Sequence, residues 1–232
     1  MAKAPDTPGP GPASERVRLR RKRERGSYDR VVLDAILDEG LVAHLGICGA
    51  GGQPIVIPVL HARSGDTVYC HGSAASRTLT ALAGGSPACL TVTLLDGLVL
   101  ARSVMHHSAN YRSAMIFGTA TEITDPREKT EALRAVVEHI VPGRWDHARS
   151  PTENELKATA VLALAIDEFS AKVRTGGPAD DDEDYALEHW AGVIPLRTIP
   201  GAPEADPRLA DGIAVPAHAA AYARPGSPLP RR

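Results

Sequence analysis

LVAHLGICGAGGQPIVIPVLHARSGDTVYCHG, residues 41–72, decides the fold. Three short runs, 41–49, 54–62 and 66–72, are rich in β-branched and other apolar residues. AGGQ and RSG stand between them, and both are turn chemistry. The stretch reads as a meander of antiparallel strands with tight links. Upstream, DRVVLDAILDEG (29–40) places Val31, Val32, Ala35 and Ile36 at helical spacing, with Asp29 as N-cap and Gly40 as stop. Downstream, SRTLTALAGG (76–85) is a short helix that ends at its glycine pair. PACLTVTLLDGLVLA (87–101) reads as one or two further strands, and YRSAMIFGTATEI (111–123) as another.

Asp125-Pro126-Arg127-Glu128 opens the next helix. Asp125 can cap free amides, and Pro126 sits where a missing N–H costs nothing. Thr152 and Glu155 form a second capping signature. VLALAIDEFSAKVR (161–174) reads as one long last strand. Six or seven β segments with two or three inserted helices favour a small antiparallel barrel with flanking helices, mainly β in class. The βαβα alternation and the GxGxxG fingerprint of a doubly wound sheet are both missing.

Composition narrows the function classes. The chain has 232 residues, 43% hydrophobic and 23% charged, with a net charge of -2. A whole-protein electrostatic grip on nucleic acid is therefore not expected. Aromatic residues are only 4%, so the core must be built from Val, Leu, Ile and Ala. No apolar run reaches the roughly 18 residues of a membrane span. MAKAPDTPGPGP has no apolar signal core, and three cysteines without a CxxC pair suit reduced thiols, so the expected location is the cytoplasm. The expected organisation is a disordered basic arm over 1–26, one domain over 27–199 and a Pro/Ala-rich tail over 200–232. The basic run RVRLRRKRER (16–25) reads as a solvated segment packing its arginine stems, against a nucleic-acid arm as the sharper reading. Asp180–Asp184 reads as solvated loop, and a three-histidine metal site from His44, His61 and His71 is weighed and set aside, so no metal is expected.

The most informative chemistry is Tyr69-Cys70-His71-Gly72-Ser73-Ala74-Ala75-Ser76-Arg77. A strand ends, a small-residue loop turns, and a helix begins. Helix-start amides, the Ser76 hydroxyl and the Arg77 guanidinium make a phosphate cradle, or else a plain N-cap beside a surface arginine. Asn110-Tyr111-Arg112-Ser113 enters a strand with Tyr111 and Ser113 on one face and Asn110 and Arg112 on the other. There is no GxSxG, no P-loop and no activated thiol. A chain poor in reactive side chains but provided with a phosphate cradle suggests a borrowed cofactor.

The order PIVIPV (54–59), YCHGSAASR (69–77), NYRSAMIFG (110–118) and a late Trp resembles the FMN-binding split-barrel family of pyridoxamine 5'-phosphate oxidases. RRKRERGSYDR (20–30), SAKVR (170–174) and HWAGVIPL (189–196) are similar to its flavin-nucleotide-binding, nitroimidazole-resistance-like branch. The resemblance spans residues 20–197 and implies a split β-barrel homodimer with FMN at the subunit interface. It implies that Ile57, Pro58 and Val59 face the flavin ring, that His71 and Gly72 continue the site, and that Ser76 and Arg77 hold the phosphate. Ser113 would point to the flavin, Trp190 would reach across the dimer, and Lys172 and Arg174 would add charge. Two departures stand out. Arg77 is followed by Thr78 where the oxidases carry Lys, so Arg112, Lys172 or Arg174 would have to replace that charge. Trp190 is followed by AGVIPLRTIP, without the Arg-x-His element used on the pyridoxal substrate. The resemblance therefore implies flavin-dependent redox chemistry on a small molecule, with NADH or NADPH as donor, and not pyridoxamine phosphate oxidation. The alternatives are a flavin-binding module without turnover, and a split barrel holding haem or a deazaflavin, with His71, His106 and His107 as the histidines that suggest haem.

Overall fold

A computed structural model describes residues 10–224. The Pro/Gly-rich start over 1–9 and the last tail residues, 225–232, lie outside the described residues. The strands are β1 (Gly26–Ser27), β2 (Val42–Cys48), β3 (Pro54–Ser64), β4 (Thr67–Ser73), β5 (Pro87–Leu100), β6 (Ser108–Thr119), β7 (Thr121–Glu122), β8 (Thr159–Ala165), β9 (Glu168–Arg174) and β10 (Gly192–Pro195). The helices are α1 (Arg30–Glu39), α2 (Arg77–Ala83), α3 (Pro126–Ile140), α4 (Glu153–Ala158) and α5 (Ala217–Ala220). The strands form one sheet in the order β1-β9-β6-β5-β2-β3-β4-β8-β7, with β10 paired to β5. The fold is a mainly antiparallel split barrel with flanking helices.

The run expected as one strand over 161–174 is two. β8 pairs with β4 and β7, whereas β9 pairs with β6 and β1, far along the sheet order. Only Ile166 and Asp167 separate them, so the sheet must curl until its two ends meet. Ile166 N–H donates to Asp66 O at 2.9 Å and anchors the break. Gly118 on β6 shows how tight the seam is, since a Cβ there would stand 2.8 Å from Leu164 Cδ1 on β8. The segment expected as one strand over 111–123 likewise divides at Ala120 into β6 and β7.

α1 packs its Leu33, Ile36 and Leu37 into the barrel beside Leu45, Leu90, Val92 and Ile116. Asp29 caps this helix by accepting from Val31 N–H at 2.9 Å. Among the described residues no Phe, Tyr or Trp belongs to the buried core, as the low aromatic content requires. α3 starts as expected, with Asp125 accepting from the amides of Arg127 and Glu128, and it leans on β3 and β4.

From residue 10 onward the basic arm does not stand off the sheet. Val17 is buried, Arg16 pairs with Glu168 and lies over the Phe117 ring, and Leu19 N–H donates to Tyr28 Oη at 2.7 Å. β1 then pairs with β9. The arginine stems are packing material here, and their heads are left to water and carboxylates.

Candidate functional site

β3 alternates as a half-buried strand must. Ile57 and Val59 turn toward the core, so of the three residues expected to face a flavin, Pro58 alone puts its side chain on the outer face. There Pro58 is the register partner of His44, and His44 is the partner of Thr91 on β5. Thr91 pairs with Met115, and the neighbouring row joins Thr93, Ser113 and Lys172. Pro58, Ser113 and Lys172 therefore share one broad sheet face, although they come from distant parts of the sequence.

At the end of β4, His71 is half-buried and lies on the opposite side of the strand from buried Cys70. Its Nδ1 is buried without a hydrogen-bond partner, and burial lowers its pKa below the ordinary imidazole value. Gly72 admits α2 to the strand, because a Cβ there would stand 2.7 Å from Leu79 Cδ1. Ser76 caps α2, accepting from Leu79 N–H at 3.5 Å, and Ser73 Oγ accepts from Ala75 N–H at 3.2 Å. The cradle thus spends part of its amide supply on its own side chains. Arg77 is exposed and makes no ion pair among the described residues, while Thr78 is buried and adds no charge.

Two cations expected to help are already committed. Arg112 forks onto Asp96 at 2.9 and 2.7 Å and also onto Glu39. These carboxylates hold its guanidinium in the charged form and push its pKa up. Arg174 is buried, and donates to Asn110 Oδ1 and to the carbonyls of Gly176 and Gly177. Lys172 is freer, since its Nζ donates to the Arg21 carbonyl at 3.1 Å. Trp190 is 69% exposed and packs against Gly192 at the start of β10.

His44, His61 and His71 do not converge. His44 is on the outer face, whereas His61 is fully buried with Nε2 3.2 Å from Leu37 O. The acidic run is not all solvated loop. Asp180 is buried and accepts from the amides of Arg102 and Ser103 and from the Arg102 guanidinium, because the free amides of that turn need an acceptor. His106, Asp181 and Asp184 bring their ligand atoms within 4.8 Å of one another on the surface.

A groove of about 990 Å³ lies between α3 and β4, where Tyr69, Glu131 and Glu138 line it. A second, about 370 Å³, lies where Leu196–Ile199 pass Thr93–Asp96. Neither is lined by a residue predicted for the cofactor. Sequence reading passed over His44 as part of this face. Counting by two from Pro58 across the β3–β2 hairpin would have placed it there.

The pyridoxamine 5'-phosphate oxidase family model matches residues 29–173. A search of curated proteins finds no match. Among solved structures, the flavocytochrome Anf3 from Azotobacter vinelandii is 45% identical, with TM-score 0.85 over 90% of this chain and 97% of that one. The FAD and haem binding protein from Mycobacterium smegmatis is 43% identical, with TM-score 0.80 over 84% of this chain and 95% of that one. A Bacteroides thetaiotaomicron protein assigned to 5-nitroimidazole antibiotic resistance shares the fold at 24% identity, TM-score 0.55, over 64% and 86%. With the family model covering residues 29–173, from α1 into β9, the chain belongs to the pyridoxamine 5'-phosphate oxidase family.

Proposed function

We propose that this protein is a flavin- and haem-binding oxidoreductase that works as a homodimer on a small molecule. The observation that carries the reading is the likeness, at 45% identity over nine-tenths of the chain, to a flavocytochrome. The FAD and haem binding protein at 43% identity supports the same pair of cofactors. FAD is the flavin we favour on that ground, and FMN, implied by the sequence resemblance, is the second reading. The chain's own residues fit a flavin nucleotide. Arg77 has no competing carboxylate, the Ser76 hydroxyl can still donate a proton, and Gly72 keeps the turn close to the sheet. The committed guanidiniums of Arg112 and Arg174 are left out of the phosphate site, which leaves Arg77 and Lys172 as the cations toward it.

A bound flavin would supply hydride or electron transfer, and the protein would supply position and exclusion of water. Trp190 and the exposed apolar sheet face would be covered by the second subunit, closing a site that one chain leaves open. The test is the absorption spectrum of the purified full chain, followed by heat release and mass analysis of the chromophore. Flavin and haem bands, with FAD or FMN released, support the reading. NADH or NADPH should then bleach the flavin, and a nitroaromatic should restore it. A colourless protein that takes up neither added flavin nor added haem overturns it.

A further inference from the structure

The outward faces of β3, β2, β5 and β6 form a four-strand surface without a single Asp, Glu, Lys or Arg. Val56 is 64% exposed and Leu95 51%, with Val42, Leu60 and Met115 also open. An exposed apolar surface of this kind marks a binding site. Near its middle stands one imidazole, His44, exposed and flanked by Pro58 and Thr91. It has no hydrogen bond or ion pair among the described residues.

The other histidines are placed differently. His61 and His139 each set Nε2 against a backbone carbonyl, and His107 and His147 do so with Nδ1. His106 leans on Asp180 and Asp181, and His218 stacks on His147. His189 is in the loop before β10, and His71 belongs with the flavin turn. Of the sulfur groups on the face, Cys89 is held in the thiol form by burial, and a thiol is a poor metal ligand. A flat apolar surface with one free imidazole is what a haem macrocycle requires, namely burial for the ring and nitrogen for the iron. Cations stand at its rim, where carboxylates of the ring would emerge: Arg16 lies over the Phe117 ring on β6, and Arg197 and Arg224 line a groove with Val42, Thr93 and Leu95.

We infer that His44 is the axial ligand of a haem seated on the uncharged face of β3, β2, β5 and β6. This rests on the flavin-and-haem reading above and gives it a location.

The test is a haemin titration of the full-length protein with its flavin, followed by the Soret band, for the native chain, His44→Ala and His71→Ala. His44 is exposed, so its alanine variant should keep the native circular dichroism. It should lose the histidine-ligated Soret spectrum, bind haem at least about tenfold more weakly, and recover the ligated spectrum when free imidazole is added. A native Soret band and affinity in His44→Ala would overturn the assignment, as would loss confined to His71→Ala. A native chain that holds flavin but never develops a Soret band overturns the haem site and leaves the flavin reading standing. A native chain that holds neither removes the proposed function itself.

Discussion

Arg112 has carboxylates on two sides, and any phosphate would have to compete with both. Glu39 comes from the end of α1 and Asp96 from the β5 bulge, so the ion pairs tie helix to sheet. Removing the cation would leave two partly buried carboxylates facing each other. Arg112→Met should cost about 1–3 kcal/mol in urea unfolding, between the values for exposed and buried pairs. Flavin retention in the folded variant should match the native chain, and a selective loss of flavin would return Arg112 to the cofactor site. His61 makes a different kind of demand. Burial, with His139 beside it, lowers its pKa from 6.5 to about 4. The unfolded chain binds the proton more readily, so this stability is present above pH 6.5 and is lost as pH falls toward about 4. The full span corresponds to roughly 3 kcal/mol. Thermal melts from pH 7 to 4 should fall steeply for the native chain and less steeply for His61→Gln. Parallel curves would remove His61 as the cause.

At the scale of elements, local rules reach far and then stop. Asp29, Asp125 and Thr152 cap α1, α3 and α4 because short polar side chains satisfy helix-start amides wherever they occur. In α4 the box is complete, with Thr152 Oγ1 accepting from Glu155 N–H while the Glu155 carboxylate accepts from Thr152 N–H. Arg149 adds a bidentate pair, and together these hold the Glu155 pKa down at about 2, from 4.5. A depressed carboxylate stabilises above its unfolded pKa, so the contribution should vanish as pH falls from 4.5 toward about 2. Glu155→Gln should flatten that acid limb in amide exchange of α4, whereas an unchanged limb would mean the box frays in solution. The division between β8 and β9 follows no such rule. Ile166-Asp167 contains neither Gly nor Pro, and apolar residues run through Ile166, so a reading by period continues the strand. Curling of the sheet breaks it, because the two halves must pair with opposite ends.

For the whole molecule, the uncharged outer face is the feature one chain leaves unfinished. Its apolar residues are costly in water, and a haem seated there would leave the far side of its ring to a second copy, in line with the homodimer proposed above. Light scattering at micromolar concentration should give twice the chain mass. Leu95→Lys, which places a charge on that face, should shift the protein toward the monomer and release flavin in parallel. A monomer in the native chain would overturn the dimer. Among the described residues no helix is long and apolar enough to cross a membrane.

Residues 41–72 and the order of motifs after them determined the meander, the capped helices, the family and the turn at His71–Arg77. Those features rest on local periodicity, capping chemistry and neighbouring residues, all of which can be read along a chain. Tertiary structure alone decided that the sheet closes between β8 and β9, that Arg112 and Arg174 are spent on the fold, and that Asp180 is buried. It also decided that His44, Pro58, Ser113 and Lys172 share one face. These depend on contacts between segments distant in sequence, such as β6 with β9 and β4 with β8, and pairing over such distances is set by burial of the common core rather than by any local pattern.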